Sequence, residues 1–270
     1  MSRKDQSKFR KILTLVALGL GVIFVAVFSI ALQLKKNYNP KVEAATYNPQ
    51  INPSDFTTIG TNKYFTLTSG KKMIYESETA DGLERGEVLI TSRTKNVMGV
   101  TTLVIRDKVW LNGVIIEDTR DYLAQNKKTG DVWYFGEKVD NYENGVLVSH
   151  EGSWLAGIDG ALPGIWVKAN PTVGETYRQE YYKRVAEDMA KVISINETVK
   201  ISYGTFENCL KTYDFTRLDP HSKENKYYCP TPKNGPEAGT TVFIKDLVSG
   251  DTEELIDVKM VSTSGSDGED

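Results

Sequence analysis

The sequence predicts a mainly β protein: a single antiparallel sheet, curved into a half-barrel or barrel, after one N-terminal transmembrane helix. Three observations carry this. The middle of the 270-residue chain is rich in Val, Ile, Thr, Tyr and Trp, in short alternating runs broken by turn residues, which is the strand signal. Asn112-Gly113 and Asn144-Gly145 are the pair best suited to a two-residue type I′ hairpin, whose central residues both need positive φ. Residues 12–34 read ILTLVALGLGVIFVAVFSIALQL, without a charge, and about 20 apolar residues span a hydrocarbon core as a helix.

The apolar run divides the chain. Residues 1–11 form a basic N-terminus expected in the cytoplasm. Residues 12–34 form the membrane helix, read as a signal anchor, and residues 35–61 form a linker holding Pro40, Pro49 and Pro53. A β-rich extracytoplasmic domain is expected over 62–261 and a disordered acidic tail over 262–270. The alternative is a cleaved signal peptide, because Val42-Glu43-Ala44 has the small-residue spacing of a cleavage site. However, signal-peptide apolar cores are usually about 7–15 residues. The anchor reading makes this a single-pass protein of the cell membrane, with its C-terminal domain outside.

Charge separates the same parts. Residues 1–41 hold eight Lys/Arg and one acid, leaving 25 basic and 35 acidic residues for the rest. A surface this acidic repels phosphate backbones, so nucleic acid is excluded as an expected partner. The membrane, through the N-terminal helix, is the expected partner.

The two hairpins can be checked against side-chain chemistry. Pairing about Asn112-Gly113 sets Leu111 opposite Val114, Val109 opposite Ile116 and Lys108 opposite Glu117. Pairing about Asn144-Gly145 sets Tyr142 opposite Leu147, Lys138 opposite Glu151 and Phe135 opposite Trp154. Opposite charges and aromatic pairs then meet, each cross-strand pair contributing about 0.2–1 kcal/mol. Further strands are expected at 64–68, 72–79, 84–96, 131–142, 176–183, 191–195, 198–202, 206–217, 226–229, 241–248 and 254–261. A short helix is expected at 184–191. Consecutive hairpins with so little helix point to a meander that curls.

Candidate sites follow from these registers. In the first hairpin Asp107, Asp118 and Arg120 share the apolar face, with Asp107 opposite Asp118. In the second, Glu137 and His150 share a face with Phe135, Val139 and Trp154. With Trp133 and Trp166, these residues are the candidate ligand-binding set: apolar walls beside charge. The competing reading is a structural ion-pair network, or a bulge that turns the charges outward. A Glu–His or Asp–Asp site could also serve a hydrolase or lyase. No catalytic motif is present, however: no nucleophile elbow, zinc-protease helix, phosphate loop or dinucleotide fingerprint. No cofactor is expected. With His150 and His221 as the only histidines, no multi-histidine metal site is possible. The stretch 155–166, LAGIDGALPGIW, fits no strand pattern and reads as an apolar loop over a cavity mouth or barrel end. Asp219-Pro220 lies midway between Cys209 and Cys229, and a hairpin there would make the cysteines cross-strand neighbours, as candidates for a disulfide.

Two stretches carry a resemblance. Gly204-Thr205-Phe206-Glu207-Asn208-Cys209-Leu210-Lys211-Thr212, with Tyr227-Tyr228-Cys229-Pro230, resembles a segment of uncharacterised bacterial extracytoplasmic β-proteins. So does the run from Val132-Trp133-Tyr134-Phe135-Gly136-Glu137 through Asn144-Gly145 to His150-Glu151-Gly152-Ser153-Trp154. The resemblance implies a curved sheet similar to LolA-like and TapB-like half-barrels, whose concave face can hold lipid. Cys229 and Thr231-Pro232-Lys233 depart from that pattern. The expected function is therefore a membrane-anchored, non-enzymatic β-domain that binds an apolar or amphiphilic ligand. The alternative is a structural or interaction module of the cell envelope with no ligand.

Overall fold

A computed structural model describes residues 47–263. The basic N-terminus, the apolar run 12–34, the first part of the linker and residues 264–270 lie outside the described residues. What is described is almost entirely β: one antiparallel sheet, nearly closed into a barrel.

The strands are β1 (Phe56–Thr57), β2 (Lys71–Thr79), β3 (Gly82–Val97), β4 (Val100–Leu111), β5 (Val114–Asn126), β6 (Val132–Glu143), β7 (Val146–Ser149) and β8 (Trp154–Leu155). They continue as β9 (Leu162–Val167), β10 (Thr176–Arg178), β11 (Glu180–Tyr181), β12 (Asp188–Ile201), β13 (Gly204–Thr216), β14 (Lys223–Cys229), β15 (Thr240–Asp246) and β16 (Thr252–Met260). The sheet runs β10-β12-β13-β14-β15-β16-β2-β3-β4-β5-β6-β9-β11. Its two edges meet where β10 passes into β11. Gln179, the residue between them, donates its backbone N–H to Asp188 on one side at 2.9 Å and its side chain to the Trp166 carbonyl on the other at 3.3 Å. Lys168, just after β9, also crosses the seam to Glu175, just before β10, at 3.0 Å.

Antiparallel order places the hairpin tips at two ends. Turns β2–β3, β4–β5, β6–β7, β13–β14 and β15–β16 lie at one end, here the upper. Turns β3–β4, β5–β6, β12–β13 and β14–β15 lie at the lower end. Both Asn-Gly pairs form the expected turns, with Asn112 at φ 51° and Asn144 at φ 52°.

The lower end is closed by apolar packing. Residues 61–68 cross it rather than forming the expected strand. The Asn62 side chain donates to the Gly130 carbonyl at 3.0 Å, and the Thr66 backbone N–H donates to the Gly239 carbonyl at 2.9 Å. Tyr64, Phe65 and Leu67 are thereby buried against a core that includes Ile90, Ile105, Leu123 and Leu210. Lys71 is buried at this end too. Its ammonium donates to Thr66 Oγ1 at 2.9 Å, the Gly239 carbonyl at 3.0 Å and the Ala238 carbonyl. Burial lowers its pKa to about 8, against the opposing pull of Glu237.

Several expectations are corrected. The segment read as a linker is packed from Tyr47 onward: the Tyr47 hydroxyl donates to the Pro163 carbonyl at 2.7 Å, and β1 pairs with β5. The expected helix at 184–191 is a turn leading into β12, where Arg184 N donates to Glu187 Oε1 at 2.8 Å. The stretch 155–166 is loop only in its first half, since Leu162–Val167 is a strand that pairs with both β6 and β11.

Both hairpin registers hold at the turn and then slip. Leu111 faces Val114 and Trp110 faces Ile115, but a bulge at Ile116 sets Val109 opposite Glu117 and Lys108 opposite Asp118. In the second hairpin Tyr142 faces Leu147, but a bulge then sets Asn141 opposite Ser149, and Glu137 rather than Phe135 lies opposite Trp154. Each bulge adds one residue and re-aims every side chain beyond it.

Cys209 and Cys229 are joined by a disulfide between β13 and β14, with Cα atoms 4.3 Å apart. The register Leu210–Tyr228 through Phe215–Lys223 places them as neighbours. Closing a loop of this size stabilises by about 3 kcal/mol in the chain-entropy model.

Candidate functional site: the acid-lined upper interior

The slipped registers decide which charges go inside. On β5 the bulge turns Glu117, Thr119 and Asp121 inward, in line with Leu123. On β6 the inward residues are Tyr134, Glu137 and Val139, with Asp121 directly opposite Glu137 and Glu137 opposite Trp154. On the other side of the barrel Asp214 faces Glu224, and Thr212 faces Lys226. Between them Glu253 faces Ser77, which faces Glu84. Glu180 comes from β11 at the seam.

The result is a ring of carboxyl groups around the upper half of the barrel, above the apolar lower half. Asp121, Glu137, Glu180, Asp214 and Glu253 are each at most 4% exposed. Lys226 is the cation of this ring, with its ammonium 3.0 Å from Glu224 Oε1 and 3.6 Å from Asp214 Oδ2. It serves the β13–β14 side. On the opposite side, across β5 and β6, the carboxyls are met mainly by hydroxyls. The Tyr134 hydroxyl donates to Asp121 at 2.7 Å, and that of Thr119 to Glu117 at 2.8 Å.

Burial governs the titration of this ring. Desolvation raises Glu84 and Glu117 to about 8, and Asp121 and Asp188 to about 7. Glu137 is raised well above the usual carboxyl range by burial, then by Glu180 and Asp121 beside it. Glu180 is raised likewise by burial and by Asp188. Carboxyls forced this close share protons instead of ionising together. They can therefore both donate and accept.

Aromatic rings form the wall beside Glu180. Tyr134 meets Trp154 edge-on at 5.3 Å and Trp166 at 5.2 Å, and Trp166 meets Phe65 at 6.2 Å. The Lys226 ammonium lies 5.8 Å from the Trp166 ring, at cation–π distance.

Of the residues singled out in the sequence, the structure brings Glu137, Val139, Trp154 and Trp166 into this interior, and Asp107 into the same ring on β4. It places Trp133 and Phe135 elsewhere. They meet Phe56 at 6.1 and 5.3 Å on the far face of β6, under β1. Asp118, Arg120 and His150 form an outer network. Arg106 grips Asp118 with two bonds of 2.9 and 2.7 Å, Arg120 reaches Asp140 at 2.7 Å, and His150 Nδ1 lies 2.7 Å from the other Asp140 oxygen. The facing Asp107–Asp118 pair and the Glu137–His150 pair are therefore not formed. Arg106 and Arg120, not a ligand, offset Asp118.

Glu84, Glu117, Asp121, Glu180, Asp188, Asp214, Lys226 and Glu253 did not stand out in the sequence. A signal existed on β13, where Leu210, Thr212 and Asp214 alternate with Lys211, Tyr213 and Phe215, so a period-two reading carries Asp214 inward with Leu210. No such signal marks Glu180, which depends on closure at the seam.

That closure rests on Gly164. A Cβ there would lie 2.3 Å from the carbonyl carbon and oxygen of Gln179 and 2.6 Å from Glu180 N. Gly164→Ala should force β9 from β11 and displace Glu180. The expected cost is about 1–3 kcal/mol, as for overpacking, or roughly 2–4 °C of melting temperature per kcal/mol. Thermal unfolding checks it, and an unchanged midpoint would deny the close approach.

No protein-family model, curated protein or solved structure matches the chain. The functional reading therefore rests on the barrel itself.

Proposed function

We propose that the chain is a membrane-anchored, extracytoplasmic binding barrel that takes an amphiphilic ligand without catalysing a reaction on it. The observation that carries this is the division of the interior: an apolar lower half, a ring of buried carboxyls above it, and Trp154 and Trp166 where the two meet. A structural core has no use for so many buried acids, because each costs free energy unless paired. Ligand sites combine apolar walls with a few polar groups that orient the ligand.

Other features agree. The upper hairpin tips carry exposed aliphatic side chains, Leu83, Val114, Val146, Leu147, Leu247 and Val248. An apolar rim of this kind suits passage of an apolar tail. The disulfide fits an oxidising compartment outside the cytoplasm, consistent with the anchor and orientation read from residues 1–36. A non-enzymatic role is favoured because Glu137 and His150 lie on opposite sides of the sheet, so that acid–base pair is not assembled.

The test is tryptophan fluorescence of the full chain in phosphatidylcholine vesicles, with blank vesicles subtracted. A soluble amphiphile such as 2-phenylethanol should give a saturable change, and Trp154→Ala should weaken binding about tenfold, within the range of a buried aromatic contact. A linear, unsaturable response would favour a structural module instead.

A further inference from the structure

Resting on that reading, we infer that the ligand's head group is an organic cation, a primary or substituted ammonium, held by Glu180 with Glu137 and Asp121 against the Trp154–Tyr134–Trp166 wall. The first ground is the number of acid groups. Glu117, Asp121, Glu137 and Glu180 come from β5, β6 and β11, while the ring's cation, Lys226, bonds Glu224 and Asp214 and acts on Glu180 through its field alone. Two of these carboxyls have a hydroxyl donor each, from Tyr134 and Thr119.

The second ground is independent of the acids' number. Glu180 is 1% exposed. The Trp154 indole and the Asp188 backbone lie near enough to favour its charged form, yet neither of its oxygens completes a hydrogen bond of ordinary geometry, and Glu137 Oε2 is in the same condition. Buried polar atoms are almost always satisfied, so such a cluster marks a place where a partner belongs. The Trp166 indole N–H, 3% exposed, and the Tyr177 hydroxyl, 8% exposed, are also unpaired in this interior.

The third ground is the wall. Trp166 already accepts one ammonium, that of Lys226, against its ring. The same indole system offers a π-face to a second cation next to acceptors, the arrangement that recognises ammonium ligands. A metal ion fits less well, since among the described residues no three His, Cys, Asp or Glu groups converge to hold one. An ammonium asks less of its acceptors, since it needs no fixed coordination geometry and is held at about 2.8 Å rather than at metal–oxygen distance. An anionic head group, such as a fatty acid's, would meet like charge or shared protons.

The experiment compares three probes of one size: 2-phenylethylammonium, 2-phenylethanol and 3-phenylpropanoate. Each is titrated by tryptophan fluorescence at pH 7 into the full chain in phosphatidylcholine vesicles. The ammonium should bind at least about tenfold tighter than the alcohol, the worth of one charge-assisted hydrogen bond, and the carboxylate weakest. Glu180→Gln, which keeps the shape, should remove most of that preference by weakening the ammonium far more than the alcohol. Trp166→Phe, a gentler change, should likewise weaken the ammonium more than the alcohol. If the alcohol or carboxylate saturates as tightly as the ammonium, or if both variants weaken all three probes equally, the cation is wrong and the amphiphile reading survives. If none of the three saturates, both fall.

Discussion

Raising the pH from about 5 to about 8.5 should lower the melting temperature of the ligand-free protein by roughly 10 °C or more, at a few °C per kcal/mol. The cause is the acid ring. Glu84 and Glu117, each raised to about 8 by burial, and Asp121 and Asp188, each raised to about 7, bind protons more tightly folded than unfolded. Below the unfolded carboxyl values both states are protonated, and the ring imposes no titration penalty. As pH rises past them the unfolded chain releases protons while the folded chain keeps them, so stability falls until the folded values are passed. The window therefore runs from about 4.5 to about 8. Each tenfold gain in proton affinity on folding is worth about 1.4 kcal/mol, so several such groups together outweigh the ordinary surface carboxylates. A melting temperature that is flat or rising across this window would show that the ring is paired or solvated in the free protein.

The second large effect is expected at Lys226. Burial opposes its charge, but Glu224, Tyr228 and Asp214 hold its pKa well above the usual value. Lys226→Met keeps most of the volume and removes the ammonium. It strands Asp214, 4% exposed, and Glu224 beside it. Breaking a buried ion pair by deleting one partner costs about 3–5 kcal/mol. That cost should appear at high pH and shrink towards pH 5, where the carboxyls can take up protons instead. Urea unfolding at both pH values distinguishes this from a packing defect, which would cost the same at each.

How much of this was legible in the sequence depended on distance from a turn. Asn112-Gly113 and Asn144-Gly145 determine the geometry of their own turns, and the pairs next to them, Leu111–Val114 and Tyr142–Leu147, follow directly. Beyond two or three residues a bulge intervenes. Nothing in the local pattern around Ile116 announces one, because both registers set plausible pairs opposite each other: Lys108 meets Glu117 in one and Asp118 in the other. The single-residue slip exchanges the two faces of β5 and sends Asp121 in and Arg120 out. That is why Asp118 and Arg120 looked like interior charge, and the bulge between β6 and β7 does the same for His150; all three stand instead in the outer network with Arg106 and Asp140.

Glu180 was illegible for a different reason. Its position follows from closure of β10–β11 against both edges of the sheet, through Gln179 and the close approach at Gly164. Closure is a property of the whole meander, and no window of a few residues contains it. The apolar stretch 155–166 hid a strand for the same reason: Gly164 serves backbone contact with β11, not a loop. Trp154, by contrast, is placed among the walls by the hairpin pattern itself, whereas Tyr134 is assigned there only once the bulge in β6 is known.

A site in the upper interior for an amphiphile with a cationic head group is tested most directly by a crystal structure of the protein grown with 2-phenylethylammonium. The ammonium is expected within hydrogen-bond distance of Glu180, with its ring against Trp154 and Trp166. A structure in which Glu180, Glu137 and Asp121 are closed upon one another, with the compound absent or on the outer face, would contradict that site.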